Sequence, residues 1–354
     1  MIFKLSEEQY ENVRGLFKEF EQQLAINAVI DTTLDGKIYV DNIVSPTSAY
    51  INTPEGQMIA GNSENDEFNC ELRKLIPFNA YLQFMDKTWE EKLPDIWANK
   101  YIWKESRTYM TIHPSEFELC NWSELLEEGY TIEKVDKNFL RRPLKNMESV
   151  LTRVEEWGSI EKFENLAYGF CIVWKDSIVS RCICDNIHLD RTECGIWTDR
   201  YHRGKGLARI IVSVAVEHCF NISFKEVGWH CLSNNTGSIK TAKKVGFKEK
   251  MIYSSYGIGL PGESQGDLTK DEWLVYAKRY DEIVKDQAHP VKGVSYIYAA
   301  AAYSLAGLDN EALLYLYKMK DSGWRNDYSF VIDDWPFWGL HGTEQWDTFV
   351  KSIT

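Results

Sequence analysis

The chain has 354 residues and a formal net charge of -13, with 44% apolar and 14% aromatic residues. That length holds two or three domains with cores of their own, the composition excludes extended disorder, and the negative field disfavours nucleic acid or an anionic membrane as partner. The start of the chain lacks the charged, apolar and small-residue regions of a secretory signal, and no run is long enough to span a bilayer, so a soluble, cytoplasmic protein is expected.

Residues 5–30 predict an amphipathic helix, and 36–62 predict hairpin strands around Lys37–Val40 and Ser48–Ile51. Together they suggest a first α/β unit over 1–128. Within it, 68–128 is mixed, with apolar bursts at Ala80–Met85 and Trp97–Trp103 and no motif that carries chemistry. From 129 the order is a strand at Tyr130–Val135, helices between 137 and 164, a hairpin of Ala167–Trp174 with Ile178–Asp185, and a strand at Glu193–Thr198. A glycine loop, a helix at 205–220, a strand at Glu226–Cys231, a helix at 236–245 and a strand at Lys248–Tyr256 complete it. The alternation predicts an α/β (α+β) mixed sheet flanked by helices over 129–260.

After the Gly-rich linker Gly257–Gly266 the pattern turns helical, giving a third domain over 267–354. The stretch Ala299–Leu313 resembles one tetratricopeptide unit: small residues for close helix packing, a Gly turn, then Glu-Ala-Leu opening a second helix. An ordinary helical hairpin has the same signature. Of the eight cysteines, most lie in apolar stretches and read as buried thiols. Cys182 and Cys184 fit the period of a strand better than a zinc pair, and no metal site is expected.

The informative stretch is Glu193–Ala208, a strand leading through Arg203-Gly-Lys-Gly206 into an apolar helix. Gly204 and Gly206 let the backbone turn and bring its N–H groups to an anion, and the helix dipole points the same way. Leu207, Ile210, Ile211, Val214 and Ala215 give that helix a face to pack on the sheet. The spacing matches neither a P-loop nor a dinucleotide fingerprint, whose third Gly is here Arg209. Farther on, Trp229–Phe247 is a strand running into a short helix that stops at Gly246.

The combination resembles the GNAT superfamily of N-acetyltransferases. Its Gln/Arg-x-x-Gly-x-Gly/Ala motif corresponds to Tyr201-His-Arg-Gly-Lys-Gly206, and its later Asn-x-x-Ser/Ala…Gly-Phe to Asn235, Ser238, Gly246 and Phe247. The likeness is strongest over 165–250, and is nearest to bacterial members in which a degenerate GNAT-like half precedes the catalytic one. The resemblance implies acetyl-CoA threaded between two parting strands. Ile196, Trp197 and Thr198 would hold the pantetheine arm, the amides of Arg203, Gly204, Lys205, Gly206, Leu207 and Ala208 the pyrophosphate, and Asn235 and Ser238 the other side. Asn235 is also placed to cap its helix.

Two positions depart from the pattern: Tyr201 replaces the first Gln/Arg, and Ala242 stands where the family often has the Tyr that protonates the departing thiolate. The acid is then Tyr253 or solvent. For the base, alternation places Glu193 with Gly195 and Trp197 on one face, making Glu193 the first candidate and His230, on the neighbouring strand, the second. A solvated strand-end carboxylate and a structural histidine are their bland alternatives. A backbone N–H of 196–198 would meet the oxyanion. The expected activity is direct acetyl transfer from acetyl-CoA to a primary amine of a small molecule, with acidic composition favouring a cationic acceptor. The alternative is a non-catalytic acyl-CoA sensor whose helical tail recruits a protein partner.

Overall fold

A computed structural model describes residues 1–354 apart from 77–80, 98–101, 119–120, 234, 259, 261–264, 267, 286–291, 323–330, 333–334 and 354. Cys120, parts of the apolar bursts at 80–85 and 97–103, and much of the 257–266 linker therefore lie outside the described residues.

The strands are β1 (Phe3–Lys4), β2 (Lys37–Val40), β3 (Ser48–Thr53), β4 (Gly56–Gly61), β5 (Tyr81–Gln83), β6 (Ile102–Ile112), β7 (Tyr130–Lys134), β8 (Gly169–Trp174), β9 (Ser177–His188), β10 (Arg191–Thr198), β11 (Glu226–Leu232) and β12 (Lys248–Ile258). They form one mixed sheet in the order β1-β2-β3-β4-β5-β12-β6-β11-β10-β9-β8-β7. The helices are α1 (Leu24–Ile30), α2 (Asp66–Leu75), α3 (Thr88–Ile96), α4 (Trp122–Leu125), α5 (Met147–Glu155), α6 (Ile160–Leu166), α7 (Leu207–Asn221), α8 (Thr236–Val245), α9 (Lys270–Lys285), α10 (Lys292–Leu305), α11 (Asp309–Asp321) and α12 (Glu344–Ile353).

The hairpin strands expected at 36–62 are β2, β3 and β4, paired antiparallel in register Ile38↔Ile51 and Ile51↔Met58. The single helix expected over 5–30 is instead a 3₁₀ stretch at Glu7–Phe17 followed by the short α1. Buried Tyr10 and Val13 are three apart, a spacing that a three-residue turn satisfies as well as an α-turn. The buried Gln22 and Gln23 then interrupt the apolar pattern before α1.

Two compact units emerge. The first comprises 1–73, 82–92 and 104–255, so the expected division at 128–129 falls inside it; the second comprises 74–81, 93–103 and 256–354. The first unit has two cores on the common sheet. One gathers Val13, Val29, Ile38, Ile51 and Met58 from the amino-terminal half, the other Trp157, Ile172, Ile183, Ile211 and Val227 from the later half. In the second unit α10 and α11 form a hairpin turned by Gly307 at φ +76°, and Ala299–Ala302 are buried with Trp273 and Leu316. Among the described residues no helix is long and apolar enough to cross a membrane.

Candidate active site

β10 and β11 run parallel and pair only at Arg191↔Glu226, Thr192↔Val227 and Glu193↔Gly228. Beyond that β10 stays with β9 to Thr198↔Ser180, while β11 stays with β6 to Leu232↔Arg107. The two strands thus part, and a V opens between 194–198 and 229–232. Where it begins, the β9–β10 register slips, because Glu193 faces Asn186 while Cys194 faces Cys184. Asp185 is the extra residue of this bulge.

On the α7 side of the V lies a cavity of about 840 Å³ lined by Ile196, Trp197, Thr198, Arg203, Gly204, Gly206, Leu207, Ala208, Asn235 and Ser238. Gly204 and Gly206 both have φ +80°, and a Cβ on either would meet nothing within 4 Å among the described residues. Their backbones face open space in a conformation that side-chain-bearing residues adopt at a cost of ~1–2 kcal/mol. Gly206 is the N-cap of α7, whose Leu207, Ile210, Ile211, Val212, Ala215 and Val216 are buried. Burial of each large aliphatic side chain contributes roughly 1.5–3 kcal/mol, which anchors the helix and so its N–H groups.

Among the predicted cofactor residues Lys205 differs. Its amino group donates to the Tyr130 hydroxyl at 2.9 Å, which is also 2.9 Å from Nδ1 of His202. That bond, ahead of any other influence, raises the pKa of Lys205. Cations that sequence reasoning passed over, Arg209 and Lys244, line the cavity instead. Asn235 does two things at once: its Oδ1 accepts from the Ser238 N–H at 3.0 Å, capping α8, and it lines the cavity. Ser238 Oγ accepts from Trp229 Nε1 at 3.0 Å, fixing α8 to β11.

On the opposite face, the three candidates for proton transfer are joined. Glu193 Oε1 is 3.1 Å from His230 Nε2, and His230 Nδ1 is 2.9 Å from the Tyr253 hydroxyl. The Gln22 carbonyl also lies 3.0 Å from His230 Nε2, and since a carbonyl only accepts, Nε2 carries the proton and Nδ1 accepts from Tyr253. Tyr253 oxygen in turn accepts from Gln23 Nε2 at 3.2 Å and Arg107 Nε at 3.1 Å. Burial raises the Tyr253 pKa, and the Arg107 guanidinium opposes that rise. Tyr109 stacks on His230 with ring centroids 4.6 Å apart, and Asn186 Nδ2 donates to Glu193 Oε2 at 3.0 Å. Glu193 is 4% exposed, which replaces the expectation of a solvated strand-end charge with a carboxylate bonded at both oxygens.

Among the described thiols Cys70 is exposed and the rest, Cys171, Cys182, Cys184, Cys194, Cys219 and Cys231, are buried. Burial pushes Cys171 to about 12, far from a reactive thiolate.

Residues 14–256 match the family model for GNAT acetyltransferase. The chain belongs to this family. The GNAT match takes in the later core and most of the amino-terminal one, and ends on β12. The chain is 23% identical over 266 residues to the uncharacterized N-acetyltransferase YdfB of Bacillus subtilis (strain 168), covering 73% of this chain and 99% of that protein. Its fold is similar to that of a GCN5-related N-acetyltransferase-like protein from Streptococcus suis 89/1591, with TM-score 0.59, 23% identity, and coverage of 71% and 98% of the two chains. This is an acyltransferase fold with the glycine loop, the parted strands and a polar network in one unit.

Proposed function

We propose that the chain transfers an acetyl group from acetyl-CoA to a primary amine by direct attack, without a covalent enzyme intermediate. The observation that carries this reading is the cavity between the parted β10 and α8, with the left-handed Gly204 and Gly206 turned toward its empty space. The acetyl donor supplies the activated carbonyl. Ile196, Trp197 and Thr198 flank its pantetheine arm, and backbone N–H groups of Arg203 to Ala208 receive the pyrophosphate at the positive end of α7. Arg209 and Lys244 offer charge to the remaining phosphate. Asn235 and Ser238 close the other wall.

Transfer needs the amine neutral and a donor for the thiolate. Glu193 accepts the amine proton, its Oε1 held by the Nε2 proton of His230, and Tyr253 or solvent returns a proton to the departing thiolate. A strand N–H of 196–198 faces the developing oxyanion. The acceptor is a small molecule, the chain works in the cytoplasm, the two halves of 1–128 and 129–260 are an inactive and an active GNAT unit, and the 267–354 helices, tetratricopeptide-like, offer a surface to a protein partner. A test is the release of free CoA thiol from acetyl-CoA by the full chain against a panel of primary amines. Amine-dependent release supports transfer; cofactor binding with no release under any amine supports the sensor instead.

A further inference from the structure

The bulge in β9 puts Asp185 in an unusual place. A Cβ built on Gly195 would lie 2.6 Å from Asp185 Oδ2 and 2.7 Å from Oδ1, so the carboxylate occupies the room that a side chain at 195 would take. Gly195 shares its face of β10 with Glu193 and Trp197, by the strand's period of two, and sits where the V has just opened. The bulge therefore presents two consecutive side chains to the acceptor face: Asn186 binds Glu193, and Asp185 covers Gly195.

Asp185 is 11% exposed, and its Oδ1 has no hydrogen-bond partner among the described residues. Its nearest cation is Arg153 Nη1 at 3.8 Å, beyond hydrogen-bond distance. Arg153 is already engaged, by Glu156 at 2.9 Å and by Glu55 at 3.4 Å from the β3–β4 turn of the amino-terminal half. The remaining charge is Arg181, directly across from Trp197, whose Nε likewise has no hydrogen-bond partner among the described residues. Three carboxyl groups thus surround two guanidiniums, a formal excess of one negative charge when all three are ionised. Glu55, Arg153 and Glu156 are each about a quarter exposed, so the rim of the group touches solvent.

We propose that Asp185 is the specificity-determining residue of the acceptor site, receiving the ammonium form of the substrate amine over Gly195, one strand step from Glu193. This rests on the acetyltransfer reading above. An ammonium offsets the cluster's excess negative charge and satisfies the orphaned oxygen, gaining a charge-assisted bond in a poorly hydrated place. It also holds the nitrogen beside the open V, where its proton is lost to the Glu193 network before attack. Desolvation of Asp185 in the free protein, which raises its pKa well above the ordinary value, is what such a cation would relieve.

The test is calorimetric binding to the full chain with CoA present, using benzylamine, an ammonium at pH 7, beside aniline, a neutral amine of similar shape, and benzoate. The account predicts that benzylamine binds at least about ten-fold tighter than aniline or benzoate, the scale of one charge-assisted hydrogen bond. Asp185→Asn should remove that preference while the affinity for acetyl-CoA is unchanged. Gly195→Ala, which keeps the carboxylate but displaces it, should do the same. Unchanged benzylamine binding in both variants, absence of the preference in the parent chain, or tighter binding of benzoate overturns the proposal. Loss of acetyl-CoA affinity together with benzylamine affinity also overturns it, by making the cluster a support of the fold. Failure of the parent chain to bind acetyl-CoA at all is a different result, which removes the acetyltransfer reading itself.

Discussion

Asp185 and Glu193 are carboxylates on adjacent strands in opposite states. Glu193 has both oxygens bonded, whereas Asp185 is desolvated with one oxygen bare among the described residues. A carboxyl whose folded pKa is raised adds stability below its unfolded value and loses it as pH rises through the folded one. The charges facing Asp185 are Arg153 and Glu156 on and after α5, Glu55 in the β3–β4 turn and Arg181 on its own strand. Asp185→Asn is accordingly expected to melt at higher temperature than the parent chain at pH 7, with the difference shrinking toward pH 4. A lower Tm for the variant at pH 7 would contradict the assigned direction. In the Glu193 network, Tyr253→Phe removes the proton donated to His230 and should slow amine-dependent thiol release on the order of 10²-fold with the acetyl-CoA Kd unchanged. Gly228→Ala brings a Cβ to 2.9 Å from Glu193 Cγ and 3.2 Å from the Tyr109 ring, which is itself stacked on His230. Neither side chain is free to give way, so a loss of about 1–3 kcal/mol in denaturant unfolding is expected. Glu193, His230 and Tyr253 could be picked from sequence because strand alternation and neighbouring strands bring them to one face. Asp185 could not, since the bulge that turns it toward Gly195 breaks the period on which alternation relies.

At the scale of elements, the loop and α7 were legible because several signals coincide over Arg203–Ala215: glycines where φ is positive, then apolar residues at helical spacing. Lys205 shows the limit of such a pattern, because a lysine within an anion-binding motif still chooses its partner in space, here Tyr130 from β7. Lys244 was missed for the converse reason, lying on a helix that also carries Lys240 and Lys243, and Arg209 because it was weighed only as a departure from a dinucleotide motif. The 3₁₀ stretch Glu7–Phe17 was invisible since apolar residues three apart, such as Tyr10 and Val13, suit both helix types. A substitution at Gly206 acts on the element through strain: Gly206→Val forces a β-branched residue to φ +80° at the N-cap of α7. The expected outcome is weaker binding of acetyl-CoA with α7 still folded, read as an unchanged far-ultraviolet circular dichroism spectrum beside a raised Kd.

The whole first unit carries two cores on one sheet, and both halves send residues to the face that holds the polar network: Gln22, Gln23 and Glu55 from the first, Glu193, His230 and Asp185 from the second. Sequence periodicity suggested two α/β halves but said nothing of their joining, because strand order across a sheet is a long-range property that local patterns do not encode. A ligand that binds only the folded chain stabilises it, so acetyl-CoA at a hundred times its Kd is expected to raise stability by about 2.7 kcal/mol and shift the thermal transition upward. The measurement that bears most directly on the central claim is calorimetric titration of the full chain with acetyl-CoA, beside a variant carrying Gly204→Val and Gly206→Val. The account predicts micromolar binding, roughly -8 kcal/mol, by the parent chain and none by the folded variant. No binding by the parent chain, or equal binding by both, would contradict a cofactor site at the amino end of α7.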